Sequence, residues 1–546
     1  MGEEVPWADA AFDEELRSWR VIPERLRYWA RETPNAAFLQ CDAGWLTYRE
    51  VDALSDRVAA GLAEHGIRKG DRVSIILPNC DEMLVAFFAC AKLGVIQVPV
   101  NIFLRGRFLA YQLTDAQAGT VIADEPGVQA LQAIATELPD LKRVFQVGDT
   151  SPVDAPFPVL PYRDLEKAAG DLPDVRVAMS DLNAILYTSG TTGMPKGCMM
   201  SHGYYLNVPR TYYRCGLARP SDRLFTTWPL FHTSGQMIAL MIALQGGLSI
   251  HYEREFSARR FVRQAAAAEA TMIFGVGAMG MAALHTAPAE GERDHRIRGA
   301  SLVPMAPWAQ RAFEERFGIP VYSEIYGQTE CNPISASPWR DADRKRDSLG
   351  RSIAELEIEV HDDDGRPAAV GEVGELVIRP REPEVMFQGY WNKPVDTLAT
   401  FRGLWHHTGD NAVLDEDGHL TFWDRKSDSM RRRGENVSSI ELEHAITTHP
   451  GVAQAAVHSV ASPLGEDDIK ACLVARPGHK LRAAELFSFF AERLPYFAIP
   501  RYVEVLDALP TNAMGRVLKH ELRARGVGAA WDFEALGLVV AKADRR

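Results

Sequence analysis

The chain has 546 residues, which is well beyond the size at which a single hydrophobic core stops growing, so at least two domains are expected. Hydrophobic residues make up 46% of the sequence and charged residues 24%, as is ordinary for a water-soluble globular protein. The formal net charge of -13 argues against a nucleic-acid partner bound over a broad surface.

Cysteine usage and the N-terminal segment bear on the compartment. Seven cysteines are dispersed without CxxC pairs, which favours reduced thiols over a disulfide framework or a zinc site. The acidic segment MGEEVPWADAAFDEEL lacks the apolar region of a signal peptide, and Pro6 stands where myristoylation needs Ser or Thr. The longest apolar run, residues 237–244, is too short to cross a bilayer. We expect a cytoplasmic monomer or homodimer that is not an integral membrane protein.

Apolar strands alternate with helical patterns across roughly the first 340 residues, as in layered α/β structures with largely parallel sheets. Examples are a predicted strand at residues 73–77 and a predicted helix at 82–93. From residue 358 the pattern changes to short strands separated by Gly and Asp turns. That change predicts a small, mostly antiparallel β-subdomain.

A polar run without apolar periodicity, residues 424–428, predicts a hinge. A compact α+β pattern follows, with predicted helices at 439–448 and 483–494 and strands at 455–459, 469–475 and 502–505. We therefore predict an α/β protein with a large N-terminal domain of layered α/β subdomains and the small β-subdomain, residues 1–426. A mobile, smaller α+β C-terminal domain, residues 427–546, completes the chain.

A glycine-rich loop at residues 187–197, YTSGTTGMPKG, follows a predicted strand at 184–187. Its glycines leave backbone N–H groups uncovered, its hydroxyls add donors, and Lys196 adds a positive charge, all of which suit phosphate oxygens. The spacing G-x-x-G-x-x-K-G differs from that of the Walker loop. A polar surface turn is the alternative interpretation. The position at a strand end favours a ligand, since open α/β sheets bind ligands there.

A literal GxGxxG occurs at residues 275–280, after a strand-like stretch. A dinucleotide-binding unit needs an acidic residue at the end of the next strand, whereas the next strand-like stretch, 300–303, is followed by Pro304-Met305. We therefore set the nicotinamide interpretation aside and expect these small residues to leave room for another group.

The remaining polar stretches are ordinary when taken singly. YGQTE at residues 326–330 follows a predicted strand at 321–325 and has the composition of a loop. HTGD at 407–410 offers a carboxylate that could take two ribose hydroxyls or cap a turn. The basic run at 431–433 and the turn PTNAMGRVLK at 510–519 could be solvated charges.

Together these motifs stand in the order and spacing of the adenylate-forming superfamily, which includes acyl-CoA synthetases, peptide-synthetase adenylation domains and firefly luciferase. The resemblance runs from LTYREVD at residue 46 to residue 522. RRGENVSSIELE is most similar to the carnitine/crotonobetaine–CoA ligase branch and its medium-chain relatives. The resemblance implies an AMP-forming carboxylic acid–CoA ligase that uses ATP, Mg²⁺ and CoA. A carboxylate attacks the α-phosphate to give an acyl-adenylate; the small domain then rotates, and a thiol displaces AMP.

The resemblance also implies roles for the matching residues. Catalytic roles fall to Lys196, Thr329, Glu330 and Arg516, with Glu330 as the magnesium ligand. The implied contacts with ATP or AMP are Thr188, Ser189, Gly190, Thr191, Thr192, Gly193, Tyr326, Gly327, Gln328, Thr329, Asp410 and Arg425. The implied acyl pocket comprises His232, Gly275, Val276, Gly277, Ala306 and Pro307. CoA contacts are implied at Arg432, Arg433, Gly434 and Glu435, and the hinge at Ser427. For His232, a core histidine is the alternative.

Two departures from the family pattern concern the acid. Arg516 replaces a lysine that bridges the substrate carboxylate and the ribose, and a planar guanidinium is not equivalent to a compact ammonium. Lys519 is the alternative bearer of that role. LVPMAPW at residues 302–308 replaces the usual Gly-Gly-Ala-Pro, so an unusual acid is expected. The small residues at 275–280 suggest space for a bulky or ring-containing acid.

Two other classes stay open. One is a stand-alone adenylating enzyme that transfers the acyl group to a carrier-protein thiol or an amine. The other is a catalytically silent binding homologue, which the replacement at Arg516 makes conceivable. The cations at 431–433 favour CoA, whose 3′-phosphate needs positive charge.

Overall fold

The computed structural model describes residues 10–41, 44–148, 155–188, 194–339, 344–362, 364–425, 429–433, 435–462, 466–510, 517 and 519–541. The chain divides into two compact units. The first comprises Met1–Asn101, Gln112–Tyr187 and Gly197–Asp424, and the second comprises Ile102–Tyr111, Thr188–Lys196 and Arg425–Arg546. The predicted boundary after residue 426 stays a prediction.

One seven-stranded sheet has the order Val159–Pro161, Arg143–Gln146, Thr120–Ala123, Arg72–Ile76, Ile96–Pro99, Leu182–Thr188, Lys196–Ser201. The pairings from the first of these strands to Leu182–Thr188 are parallel. The helices that follow or connect these strands are Tyr48–Glu64, Asp81–Leu93, Gly106–Ala116, Glu125–Gln132 and Tyr162–Glu166, with a 3₁₀ turn at Ala135–Glu137. The predicted parallel α/β pattern is therefore confirmed here.

A second seven-stranded sheet has the order Val321–Tyr322, Gly299–Leu302, Met272–Gly275, Arg223–Thr226, Ser249–Tyr252, Ala37–Gln40, Leu46–Thr47. Its pairings are parallel except for the last strand, which is antiparallel. The α-helices of this region are Ala10–Ser18, Ile22–Glu32, His202–Arg214, Met241–Gly246, Phe261–Ala267, Gly277–Leu284 and Pro307–Phe317, and Ser234–Leu240 is a π-helix.

Local sequence explains several of these elements. The helix Tyr48–Glu64 begins with a capping box, in which the Thr47 side chain accepts from the backbone N–H of Glu50 and the Glu50 carboxylate accepts from that of Thr47. The helix Asp81–Leu93 is buried from Met83 onward, which matches its almost uninterrupted apolar sequence. It ends at Gly94, whose backbone is left-handed, with φ of 66°.

The first unit ends in antiparallel structure. A three-stranded sheet joins Ile325–Tyr326, Ser335–Ala336 and Arg351–Ser352. A five-stranded sheet has the order Leu356–His361, Val373–Pro380, Trp405–Leu414, Phe401–Arg402, with Leu420–Arg425 also paired to the third of these, and the helix Pro394–Thr400 precedes Phe401. The antiparallel β-subdomain predicted from residue 358 is confirmed.

The C-terminal part of the second unit is α+β, as predicted. Strands Ser429–Arg432 and Glu435–Ser438 pair with each other, and a four-stranded sheet has the order Val452–Ala461, Asp467–Ala475, Tyr502–Leu506, Trp531–Asp532. The helices are Ser439–Thr447, Ala483–Arg493 and Lys519–Ala524. Within the described ranges, no helix has both the length and the apolar character needed to cross a membrane.

Candidate active site

Asp410 is the point at which two of the sequence motifs meet. The Tyr326 hydroxyl donates to Oδ2 of Asp410 at 2.5 Å, and Nε2 of Gln328 donates to the same oxygen at 2.9 Å. Gln328 also donates to the Thr408 carbonyl at 2.9 Å. Asp410 is only 3% exposed, and two donors share one of its oxygens. The YGQTE and HTGD motifs, 80 or more residues apart in the chain, thus form one hydrogen-bonded cluster.

The turn that follows Tyr326 requires glycine at position 327, the second residue of YGQTE. A Cβ at Gly327 would lie 2.8 Å from Nδ2 and 3.1 Å from Cα of Asn332. Backbone hydrogen bonds in both directions between Gln328 and Cys331, at 2.8 and 3.1 Å, close the turn. The turn presents Thr329 and Glu330 between these two anchored residues.

Thr329 links this turn to the segment that contains His232. The hydroxyls of Thr329 and Thr233 are 3.2 Å apart, and the backbone carbonyl of Thr329 accepts from the Tyr204 hydroxyl at 3.2 Å. His232 is half-buried, and the π-helix Ser234–Leu240 begins two residues later. Short π-helical segments occur frequently at functional sites. The predicted gate residue His232 directly precedes Thr233, whose hydroxyl contacts that of Thr329, the predicted α-phosphate ligand.

Glu330 is held by a residue that the sequence motifs did not identify. The Tyr390 hydroxyl donates to Oε1 of Glu330 at 2.7 Å, and the Glu330 carbonyl accepts from the backbone N–H of Phe387 at 2.8 Å. Burial and the neighbouring Glu330 carboxylate raise the pKa of Tyr390, so its hydroxyl keeps its proton. Tyr390 lies in the stretch GYWNKP, and the only sequence feature that could have indicated its role is an aromatic residue among turn-forming residues.

The ends of the glycine-rich loop lie on neighbouring strands. Thr188 is the last residue of Leu182–Thr188, and Lys196 is the first of Lys196–Ser201. The Thr188 hydroxyl donates to the Lys196 carbonyl at 3.5 Å. A Cβ at Gly197 would lie 2.5 Å from Cγ2 of Ile185, so close packing of the two strands requires glycine there. The loop thus leaves the sheet at the carboxyl end of a strand, as predicted.

Comparisons with known proteins identify this arrangement. Residues 26–391 match the family described as AMP-binding enzyme, and residues 441–516 match the AMP-binding enzyme C-terminal domain. The chain belongs to the AMP-binding enzyme family.

Individual relatives agree with that assignment. Crotonobetaine/carnitine–CoA ligase of Salmonella paratyphi B is 31% identical over 485 residues, which cover 87% of this chain and 93% of that protein. A double mutant of o-succinylbenzoate CoA synthetase from Bacillus subtilis, bound with a product analogue, has a TM-score of 0.79 at 29% identity and covers 92% of this chain and 98% of that one. The same enzyme with its acyl-adenylate intermediate gives a TM-score of 0.65. The predictions of the superfamily, the α/β fold and an AMP-forming acid–CoA ligase acting through an acyl-adenylate are confirmed.

The three glycines of the GxGxxG stretch, residues 275–280, are closely packed against neighbouring residues. A Cβ at Gly275 would lie 3.0 Å from Cδ2 of Leu302, and one at Gly280 would lie 2.8 Å from Cδ1 of the same residue. At Gly277 a Cβ would lie 1.6 Å from the carbonyl oxygen of Pro304. Glycine at these positions therefore allows the helix Gly277–Leu284 to pack closely against its neighbours. The prediction that the space beside these Cα atoms accommodates a bulky acid is wrong, because other protein atoms fill it. The acyl-pocket assignment of Gly275, Val276 and Gly277 stays a prediction for their backbone.

Replacing Gly277 with alanine should destabilise the fold. The added methyl group meets a backbone carbonyl, which cannot rotate away as a side chain can, so we expect a loss of about 1–3 kcal/mol in the free energy of unfolding. Urea unfolding followed by circular dichroism measures it. Gly275→Ala is the matched control, since its Cβ meets the end of the Leu302 side chain, and it should cost less. Equal midpoints for Gly277→Ala and the unchanged protein would contradict the close approach.

Two further predicted acyl-pocket residues lie at a helix start. Ala306 has extended backbone at the N-cap, and Pro307 opens the helix Pro307–Phe317, where its fixed φ and missing N–H are tolerated. The LVPMAPW departure thus coincides with the beginning of a helix.

The predicted CoA contacts have partners of their own within the second unit. Arg432 is 5% exposed, donates to the Ile499 carbonyl, and has Nε 3.5 Å from Oδ1 of Asp468. Burial, with the neighbouring charge of Arg433, lowers its pKa to about 10. Arg433 is more exposed; its guanidinium lies 3.4 Å from Oε1 of Glu534 and 5.3 Å from the ring centroid of Tyr496. Arg432 is thus engaged inside the second unit and Arg433 is the more exposed of the two, while their assignment to CoA stays a prediction. Glu435 is buried.

The Lys519 side chain also has partners within the second unit. Its ammonium donates to the Ser439 hydroxyl at 2.7 Å and lies 2.8 Å from Oε1 of Glu443. It thereby fastens the helix Lys519–Ala524 to the helix Ser439–Thr447. The predicted residues Ser189, Gly190, Thr191, Thr192, Gly193, Ser427, Gly434 and Arg516, and the side chain of Arg425, lie outside the described part of the chain.

Proposed function

We propose that this AMP-forming ligase activates a carboxylic acid with ATP and Mg²⁺ through the residues gathered around Asp410, Thr329 and Glu330, and passes the acyl group to CoA. The observation that carries the proposal is the convergence of Tyr326 and Gln328 on Asp410, with Thr329 and Glu330 on the same turn. A cytoplasmic location and a monomeric or homodimeric state belong to the proposal.

The donor set around Glu330 suits Mg²⁺. Its carboxylate accepts a hydrogen bond from the neutral Tyr390 hydroxyl at Oε1, and carboxylate oxygens are ligands that a hard cation prefers. Magnesium there would neutralise charge on the triphosphate. Lys196 at the start of its strand adds a positive point charge for the β- and γ-phosphates, and the Thr329 hydroxyl is proposed to donate to the α-phosphate.

The reaction follows from these positions. An oxygen of the substrate carboxylate attacks the α-phosphorus, the bond to the bridging oxygen breaks, and pyrophosphate leaves. Preorganised donors accelerate this step because they are already aimed at the oxygens on which charge develops. In the second step the CoA sulfur attacks the acyl carbonyl carbon and AMP leaves. His232 is proposed to stand beside the acyl group, and Asp410 and Arg425 to hold the ribose.

Replacing Asp410 with asparagine should weaken AMP binding by about tenfold or more, because hydrogen bonds to a charged acceptor contribute about 1.5–3 kcal/mol. Isothermal titration with AMP gives the dissociation constant. Asp417→Asn is the matched control, since Asp417 is an exposed carboxylate on a neighbouring turn that pairs with Lys345. An unchanged dissociation constant for Asp410→Asn would remove Asp410 from the ribose site.

ATP–pyrophosphate exchange with a panel of carboxylic acids tests the proposed function as a whole. We expect exchange that depends on both the acid and Mg²⁺, followed by CoA consumption with the acid that exchanges best. Exchange without CoA consumption, but with transfer to an amine or to a carrier-protein thiol, would identify the stand-alone adenylating class. Nucleotide binding without exchange for any acid would identify a silent homologue.

A further inference from the structure

The segment 387–393, FQGYWNK, contacts both the strand that follows the glycine-rich loop and the turn that carries Glu330. Its backbone carbonyl at Gly389 accepts from the N–H of Met199 at 2.9 Å, and the N–H of Trp391 donates to the Gly197 carbonyl at 2.8 Å. At its other end the N–H of Phe387 donates to the Glu330 carbonyl at 2.8 Å. One short segment therefore spans from the phosphate-loop strand to the proposed metal ligand.

The preceding strand is tied to the same segment through Asp115. The Tyr187 hydroxyl donates to Oδ2 of Asp115 at 2.7 Å, and the Asp115 carbonyl accepts from the side chains of Trp391 and Asn392, each at 3.1 Å. Tyr187 is the penultimate residue of Leu182–Thr188. Both flanks of the glycine-rich loop are thus anchored to the segment 387–393.

The conformation of Tyr390 is fixed from three directions. Its backbone N–H donates to the Thr397 hydroxyl at 2.9 Å, its ring packs 5.0 Å from that of Phe387, and the residue is 7% exposed. Gly389 before it has φ of 116°, which other residues rarely adopt, and a Cβ there would lie 2.8 Å from Cγ2 of Thr397. A hydroxyl held this firmly fixes the rotamer of the carboxylate that it contacts.

We propose that Tyr390 is a positioning residue that holds the Glu330 carboxylate in the orientation needed to bind the metal of the metal–nucleotide complex. The inference rests on the proposed role of Glu330 in the ligase reaction and adds to it. The hydroxyl donates to Oε1 and is not itself a metal ligand, so its loss would free the carboxylate to rotate without removing any metal ligand.

The test measures metal affinity in the absence of turnover. Mn²⁺ binding to the full-length protein is followed by the electron paramagnetic resonance signal of free Mn²⁺, with α,β-methylene-ATP as the unreactive nucleotide. Tyr390→Phe should raise the Mn²⁺ dissociation constant by about tenfold or more, the scale of one hydrogen bond to a charged group. The affinity of the nucleotide measured without metal should not change.

Two comparisons separate positioning from a general structural effect. Tyr48→Phe removes a buried hydroxyl that donates to the carbonyls of Ala243 and Leu248, and it should leave Mn²⁺ affinity unchanged. In a Glu330→Gln background, Tyr390→Phe should have no further effect, because the carboxylate it orients is gone.

The outcomes distinguish this inference from the proposed function. Wild-type Mn²⁺ affinity in Tyr390→Phe, or an equal loss of nucleotide affinity without metal, would overturn the positioning role while leaving Glu330 as the ligand. Unchanged Mn²⁺ affinity in Glu330→Gln would overturn both the metal site and the inference. The expected coupling in a protein that exchanges no pyrophosphate would support the inference and contradict the proposed reaction.

Discussion

Replacing Glu330 with alanine should lower the rate of ATP–pyrophosphate exchange by about 10²-fold or more, the scale of a lost electrostatic contact to a developing charge. The carboxylate lies on the turn after Tyr326 and is held by the Tyr390 hydroxyl at 2.7 Å. Its removal takes the proposed metal ligand from the triphosphate, so the loss should appear mainly in the rate at saturating ATP and less in ATP binding.

The control for this variant is Glu416→Ala, an exposed carboxylate on the turn between Trp405–Leu414 and Leu420–Arg425. It removes a charge of the same sign from the same unit and should leave exchange unchanged. Exchange by Glu330→Ala within a factor of about two of the unchanged protein would show that Glu330 is not the metal ligand, because such a ligand contributes far more.

The second large effect is expected at Arg516. Arg516→Ala should stall adenylation from acid and ATP by about 10²-fold, because it removes the cation proposed to bridge the substrate carboxylate and the ribose. Thioester formation from pre-made acyl-adenylate and CoA should continue. Lys519 is a poor substitute, since its ammonium is engaged by Ser439 and Glu443.

Two variants serve as controls for that experiment. Lys519→Ala should lower the stability of the second unit and leave adenylation per folded molecule unchanged. Gly434→Leu adds a side chain where the pantetheine arm is expected to pass, so it should block thioester formation and spare pyrophosphate exchange. If Arg516→Ala forms adenylate at the rate of the unchanged protein while Lys519→Ala does not, the bridging role belongs to Lys519.

Regular elements were predictable where the apolar pattern is local. The predicted helix at 82–93 is observed at Asp81–Leu93, and the predicted strand at 469–475 is observed at Asp467–Ala475. The predicted strand at 321–325 is instead two short strands in different sheets, Val321–Tyr322 and Ile325–Tyr326. The chain changes sheets at Ser323 and Glu324, where the buried Glu324 carboxylate pairs with Arg344 at 3.1 Å. Because Arg344 lies 20 residues further along the chain, the local sequence pattern does not show this pairing.

The site residues that belong to recognisable sequence motifs were predictable. Tyr326, Gln328 and Asp410 were each chosen from their own motifs, and the structure joins them through hydrogen bonds. Tyr390 and Asp115 were missed because their importance lies in contacts across 60 and 276 residues, to Glu330 and Trp391. The glycines at 275 and 277 were interpreted as space, since a sequence cannot show which atoms face a missing side chain.

If an oxygen of the acid attacks the α-phosphorus of ATP, that oxygen must remain on AMP, and isotope transfer shows whether it does. An acid that supports exchange is labelled with ¹⁸O in both carboxylate oxygens and incubated with ATP, Mg²⁺, CoA and the full-length protein. The two-step mechanism predicts one ¹⁸O atom in each AMP formed, none in pyrophosphate, and one remaining in the acyl-CoA carbonyl. Unlabelled AMP, or label in inorganic phosphate together with ADP, would contradict an acyl-adenylate intermediate.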